Sequence, residues 1–595
     1  MSALQETSIA SFNNLLIPEI ADQVALHLTP PDLLKAILVS QEWNLYFTPH
    51  LWHTIDDLTY AWPRVLGIRD REAHGTQSLQ PAVEWLHPAI MKHHHHIRRL
   101  HIRSTILANA AAAVLHRDNN SGDQNKSKWK IKDISFGDMK MSSVKLEEQV
   151  WEKTAAITQV TALLLANTST LVSLTVGYSF LPNPALEPSH PLFKALQGLH
   201  NLTSLNCGEA FRFRLSEVPE YWPRLTSLRT YSSSYNKGPD GDRLVPGLQS
   251  LVMYLPNTLR NVVQVLNTCP DLESFEITHI YDGKDEANQL ATIDLVPHSN
   301  LKTMTIGWFK NAENRTPWTL FAGLPFLTTL KITDLDHDAS TAIATHCPHL
   351  EVLIDTKKPK IAYAGDIVSE PSTLEPILQS CPNLRVLDTL GHRIMISSSM
   401  MTPWASIKLE TLRCQIRGLS RLNRDEEIRY NRALGSLKHG RKPNVKREQI
   451  MQQHQCCVDD HTRLYTQLAR QAKLRVLEVG FDHRVGCVRS PTGYTEPVKD
   501  TPELSLASGL GLLSDLKELE VFGFEGFDHR IGKEELTWMA ESWPRLRMLR
   551  GLEEDTLPRI QYDEHKALLR GHLRRLRPEI EHESLGNYDV YAFWQ

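Results

Sequence analysis

One phrase, Leu-x-x-Leu-x-apolar, recurs thirteen times in the chain. Its copies start at Leu171, Leu202, Leu225, Leu248, Leu272, Leu301, Leu327, Leu350, Leu384, Leu409, Leu474, Leu516 and Leu546, mostly 23 to 34 residues apart. Weaker copies start at Ile97 (IRRLHI) and Ile131 (IKDISF). Alternating apolar positions make a short strand with one buried face. The rest of each unit must return the chain through a helix or loop. A single unit cannot bury its own apolar face, but a stack of units can. Such a chain lengthens without new cores. Its 595 residues therefore do not require the four or so domains that roughly 150 residues per domain would suggest.

The period is that of leucine-rich repeats. The expected fold class is α/β: a horseshoe solenoid over residues 97–552 with parallel strands on its concave face. Three copies follow Cys-Pro (Cys269, Cys347, Cys381) and two follow Trp-Pro (Trp222, Trp543). This resembles the cysteine-containing repeat subclass, in which the cysteine is a small buried packing residue rather than a ligand or nucleophile. Polar stretches at 118–130 and 359–371 read as loops. The widest gap in the phrase, between Leu412 and Leu474, predicts an inserted, partly helical basic segment at 418–465. Residues 565–577 read as a helix capping the stack, within a C-terminal cap and tail at 553–595.

Ahead of the repeats, residues 15–52 read LLIPEIADQVALHLTPPDLLKAILVSQEWNLYFTPHLW. Pro18 suits a first helical turn. Ile20, Val24 and Leu28 then form one apolar stripe. Thr29 can cap a second helix, with Pro30 at its first position and Asp32 completing a capping box. Leu33, Leu34, Ile37 and Leu38 give the next stripe. Ser40 can cap a third helix that carries Trp43 and Tyr46. Three helices in about 40 residues cannot bury these side chains among themselves. A partner or the end of the solenoid must cover them.

The order Ile17-Pro18-Glu19-Ile20, Leu28, Asp32-Leu33, Val39-Ser40, Trp43 and Leu51-Trp52 resembles the F-box family, whose pattern runs Leu-Pro-x-Glu-Ile, Asp-Leu, Val-Cys-x-x-Trp and Leu-Trp. Here Ile17 replaces Leu, the first phrase is one residue shorter, and Ser40 replaces Cys. The resemblance implies an F-box at 12–56, followed by linker helices at 57–96. It implies docking on a Skp-family adaptor, and through it on a cullin-RING scaffold. Carried over by position, the adaptor contacts are Ile17, Pro18, Glu19, Ile20, Leu28, Leu33, Val39 and Trp43. An F-box followed by such repeats implies the substrate-recognition subunit of an SCF-type ubiquitin ligase. The alternative is a leucine-rich-repeat scaffold outside any ligase.

Other chemistry finds little support. Lys plus Arg is 65 and Asp plus Glu 69, a net charge of −4, which gives no global field toward nucleic acid or membrane. No apolar run approaches the ~20 residues of a membrane helix, and the N-terminus is not a secretory signal. A reducing compartment, cytoplasmic or nuclear, is expected. Four adjacent histidines, His93 to His96, cannot converge on one ion from a strand or helix and read as a polar turn. His454, Cys456, Cys457 and His461 match no closed zinc spacing. Phe-Asp-His-Arg occurs at 481–484 and 527–530, after two repeat strands, and reads as a duplicated loop. Residues 438–447 (KHGRKPNVKR) read as a solvated charged loop. No cofactor, metal or enzymatic activity is expected.

Residues between the leucine positions should face the concave surface. Arg229, Tyr231, Glu276, Trp308, Lys331, Arg413, Glu478 and Glu520 mix both charge signs with aromatics, a composition suited to holding a protein substrate. The C-terminal half of that surface is the expected site.

Overall fold

The computed structural model describes residues 18–56, 88–102, 107, 111, 113, 130–136, 157–177, 189–207, 214–230, 244–254, 258–281, 295–310, 317–333, 335–355, 373–396, 402–419, 445–480, 488–489, 495–496, 501–525, 530–552 and 562–581. Two compact units are present: Met1–Leu255 with Thr268–Leu272, and Pro256–Asn267 with Glu273–Gln595.

The first unit opens with three helices, α1 (Pro18–His27), α2 (Pro30–Ala36) and α3 (Gln41–His53). Seven strands follow: β1 (Thr54–Asp56), β2 (Arg99–Ile102), β3 (Asp133–Phe136), β4 (Ser173–Val176), β5 (Ser204–Asn206), β6 (Ser227–Thr230) and β7 (Ser250–Met253). Each pairs in parallel with the next.

The second unit repeats the scheme. Its main strands are β8 (Ser274–Tyr281), β9 (Thr303–Lys310), β10 (Thr329–Ile332), β11 (Val352–Asp355), β12 (Val386–Met395), β13 (Thr411–Arg417) and β14 (Val476–Glu478). A small antiparallel hairpin, β15 (Val488–Arg489) and β16 (Thr495–Glu496), interrupts them. β17 (Val521–Gly523) and β18 (Met548–Arg550) complete the parallel ladder after β14.

Register fixes the core. In the first unit Leu100, Ile134, Leu174, Leu205, Leu228 and Leu251 lie opposite one another. In the second the column is Phe275, Met304, Leu330, Leu353, Leu387, Leu412, Leu477, Phe522 and Leu549. None of these is more than 1% exposed. Each is worth about 1.5–3 kcal/mol of burial, and only the stacked neighbour supplies it. The fold is an α/β leucine-rich-repeat solenoid.

At several repeats the residue three places before the first leucine tethers neighbouring repeats. The indole N–H of Trp222 donates to the Leu196 carbonyl at 2.8 Å, and that of Trp543 to Leu513 at 2.9 Å. The thiol of Cys347 donates to Leu324 at 3.7 Å and that of Cys381 to Cys347 at 3.8 Å. Burial pushes the Cys269, Cys347 and Cys381 thiols up to about 12, so they stay protonated and unreactive. Gln471 occupies the same slot at 1% exposure, and neither atom of its amide has a hydrogen-bond partner.

Three boundaries differ from expectation. The ladder begins at Thr54, directly off α3, and not at 97. The phrase there (Trp52-His-Thr-Ile55) lacks its third apolar residue, so the sequence hides it. The copy read at Leu516 is shifted by three. Phe522 stands opposite Leu477 and Leu549, so the true phrase starts at Leu519 (LEVFGF). Leu516, Leu519 and Val521 imitate it because leucines three apart satisfy both alignments. The basic insertion ends in a 25-residue helix, Val445–Ala469, which bears Leu464, Tyr465 and Leu468 on its buried side. The expected capping helix spans Tyr562–Leu576. Just beyond it, Glu581 bridges to Met548 on β18. The loops expected at 118–129 and 359–371, the motif at 481–484, and residues 438–444 lie outside the described residues.

Candidate functional site

Two surfaces carry the expected residues: the N-terminal helices and the open face of the strands.

In the helices, Ser40 caps α3 as the sequence implies, its Oγ accepting the Trp43 backbone N–H at 3.1 Å. Thr29 does not cap α2 in that way. Its hydroxyl donates to Asp32 Oδ2 at 2.6 Å, and this bond, with Lys35 nearby, holds the Asp32 carboxyl below its usual range. Ala21, Ala25, Leu33, Ala36, Phe47 and Leu51 fill the interior, with Trp43 edge-on to Phe47 at 5.4 Å. The short alanine side chains of α1 let α3 approach.

The outer surface carries large apolar side chains among its polar ones. Ile20 (51% exposed), Val24, Leu26, Leu38 (78%), Val39 and Leu45 (76%) all face solvent. These six are among the fifteen exposed large apolar side chains of the described residues, yet they fall within 26 positions. A cluster of this kind marks an interaction surface. Of the expected adaptor contacts, Ile20 and Val39 are on it, and Leu28 and Trp43 are half-buried. Leu33 is interior, 5% exposed. Pro18 and Glu19 sit in the first turn of α1, with side chains outside the described residues, as is Ile17 altogether. Leu26 and Leu45 were not anticipated, because they lie between motif positions, whereas Leu38 belongs to the second apolar stripe that the sequence expects a partner or the solenoid end to cover.

Below α3 the histidine run forms a 3-10 turn, His94–His96. The His93 ring stacks on Trp52 at 4.6 Å. Burial, with Lys92, His96 and His95 beside it, pushes His93 down to about 4, so the ring is neutral at pH 7.

On the strands, residues two apart share a face. In the first unit one row of the open face is Asp133, Ser173, Ser204, Ser227 and Ser250, and the next is His101, Ser135, Thr175, Asn206, Arg229 and Val252. Arg229 is the exposed member, while the others are half-buried. Its guanidinium lies over the Tyr254 ring at 5.5 Å. Tyr231 lies outside the described residues.

In the second unit the corresponding row is Glu276, Thr305, Lys331, Ile354, Asp388, Arg413, Glu478, Gly523 and Arg550. Glu276 and Lys331 are half-buried. β9 carries Trp308, whose side chain lies outside the described residues. Arg413 and Glu478, expected to be open to a substrate, are 5% and 1% exposed. Arg413 donates to Asp388 Oδ2 at 2.8 Å and to Glu478. Glu478 also takes Arg550, itself fully buried. Gly523 makes this last bond possible: a Cβ there would come within 2.9 Å of Glu478 Cγ. Burial works against the Arg413 cation, but the Glu478 and Asp388 carboxylates more than offset it and hold its pKa above the usual arginine value. Both charges of Glu478 and Arg413 are thus bound within the fold. Glu520 is displaced by the three-residue register slip. It lies at the strand edge, paired with Arg475 at 2.7 Å and Arg547 at 3.2 Å.

Among the described residues no group of His, Cys, Asp or Glu is arranged to hold a metal ion. His461 uses both ring nitrogens: Nδ1 donates to the Cys457 carbonyl at 2.7 Å, and Nε2 accepts the Glu503 N–H at 3.0 Å. No helix among them is long and apolar enough to cross a membrane.

No family model and no curated protein matches the chain. Among solved structures, a leucine-rich-repeat protein of Leptospira interrogans aligns at 12% identity and a TM-score of 0.36, covering 83% of this chain and 98% of that one. A chain of the yeast Rad7–Elc1 complex aligns at 12% identity and a TM-score of 0.33, covering 89% and 98%. At these scores the solenoid assignment rests on the strand ladder itself.

Proposed function

We propose that the chain is the substrate-recognition subunit of an SCF-type ubiquitin ligase. In this reading α1–α3 are an F-box that docks on a Skp-family adaptor, and the repeats hold a protein target. The observation that carries it is the apolar surface of Ile20, Val24, Leu26, Leu38, Val39 and Leu45 on the three helices whose sequence follows the F-box pattern. Those helices already bury what they can against each other and against the first rung. What remains exposed is a set of large apolar side chains of the kind a stable partner covers. The subunit's contribution is proximity: a target held near a ubiquitin-charged enzyme presents its lysines at high effective concentration. No catalytic group is assigned to the chain, and residence is cytoplasmic or nuclear.

The test is co-expression with the Skp-family adaptor, followed by size exclusion. The wild type should elute as a one-to-one complex. Leu38→Asp with Leu45→Asp should abolish the complex while leaving the fold intact, because both side chains are exposed. A soluble wild-type chain that elutes alone would make residues 18–53 a solenoid cap and the protein a scaffold.

A further inference from the structure

The open face of the first unit carries Arg229, an exposed arginine on β6. Among the described residues Arg229 makes no ion pair. Its same-row counterparts Arg413 and Arg550 are tied to Asp388 and Glu478. At the strand edges Arg385, Arg475, Arg545 and Arg547 are matched by Glu410, Glu520 and Glu518. Arg229 instead has its guanidinium over the Tyr254 ring, 5.5 Å from the centroid. Around it, apart from Val252 directly opposite on β7, the face is built of small hydroxyl and amide groups. Ser204, Ser227 and Ser250 line one row, with Thr175 and Asn206 beside Arg229 in the next. None is a large side chain that would shield the arginine.

We propose that this face binds an oxyanion-bearing segment of a protein partner, with Arg229 as its anchor. An exposed arginine without a carboxylate partner suits a carboxylate or phosphate, whose two oxygens match its paired N–H groups. The serine and threonine hydroxyls on either side can donate to the remaining oxygens and to the segment's backbone. The inference deepens the receptor reading by naming the class of target it would take, and it moves that target from the C-terminal repeats to β5–β7.

The probes are three fluorescein-labelled twelve-residue peptides: (Glu-Gly-Ser)4, the same peptide with phosphoserine in place of each Glu, and (Lys-Gly-Ser)4. Fluorescence anisotropy with the full chain measures binding. At least one acidic peptide should bind and the lysine peptide should not. Arg229→Gln should weaken binding tenfold or more, Arg229→Lys less, and Arg385→Gln should leave it unchanged. Tighter binding of the phosphorylated peptide alone would assign a phosphate source, and equal binding a carboxylate source. Absence of binding by both acidic peptides, equal binding of the lysine peptide, or indifference to Arg229→Gln would overturn the proposal. Adaptor co-purification of Arg229→Gln keeps the two readings apart. It should be normal, whereas Leu38→Asp with Leu45→Asp should lose the adaptor and still bind the peptide.

Discussion

The same row of the repeat is built in opposite ways in the two units. In the first it runs His101, Ser135, Thr175, Asn206, Arg229, Val252, half-exposed groups that bind little to one another. In the second it ends Asp388, Arg413, Glu478, Gly523, Arg550, a largely buried column whose charges neutralise one another. The serine row alongside keeps its hydroxyls at Ser274, Thr303 and Thr329 and then changes to Val352, Val386, Thr411, Val476, Val521 and Met548. One repeat geometry therefore serves two ends. Where the row is short and polar, the face is free to recognise something else. Where it is long and charged, the face recognises itself.

The contrast makes its largest prediction at Glu478. Glu478→Ala should cost about 3–5 kcal/mol, because it removes the buried carboxylate that pairs with both Arg413 and Arg550, whereas Arg229→Ala should stay within about 0.5 kcal/mol. Urea unfolding of the two variants would erase the contrast if their midpoints moved together. Gly523→Ala comes next. Its methyl meets Glu478 Cγ at 2.9 Å, and forcing the glutamate away from Arg550 should cost about 1–3 kcal/mol. Gln471 offers a gain. Replacing its unbonded buried amide by Leu should raise stability by roughly 1–2 kcal/mol, read as a higher melting temperature.

A smaller effect sharpens the comparison from the first unit. His93 falls to about 4 in the folded chain against 6.5 unfolded. A depressed base stabilises the fold fully above pH 6.5 and loses that contribution as pH falls toward 4, because the unfolded chain then takes the proton more readily. With the ring half-exposed the loss is discounted to about 1 kcal/mol. Acid titration followed by tryptophan fluorescence should show a transition in this window, weakened by His93→Gln. An unchanged transition in that variant would assign it to other groups.

Much of the fold was legible because the leucine phrase is set by burial alone, and burial leaves its mark at every copy. The three-helix unit was legible for the same reason, down to the Ser40 cap. What escaped had physical causes. Leu516 and Leu519 both satisfy the phrase, and only the opposing Leu477 and Leu549 decide between them. Thr54 to Asp56 carries too few apolar residues to announce a strand. Arg413 and Glu478 read as surface charges because nothing in a linear sequence says that Asp388, 25 residues earlier, and Arg550, 72 residues later, will meet them. Leu26 and Leu45 were passed over because a pattern of motif positions says nothing of the positions between.

Hydrogen exchange of the full chain, alone and mixed with the Skp-family adaptor, tests the central claim most directly. The account predicts new protection across residues 18–53, centred on Leu26, Leu38 and Leu45, with β5–β7 and the column from Asp388 to Arg550 unchanged. Protection that appears on the strands and spares the helices, or none at all, would contradict it.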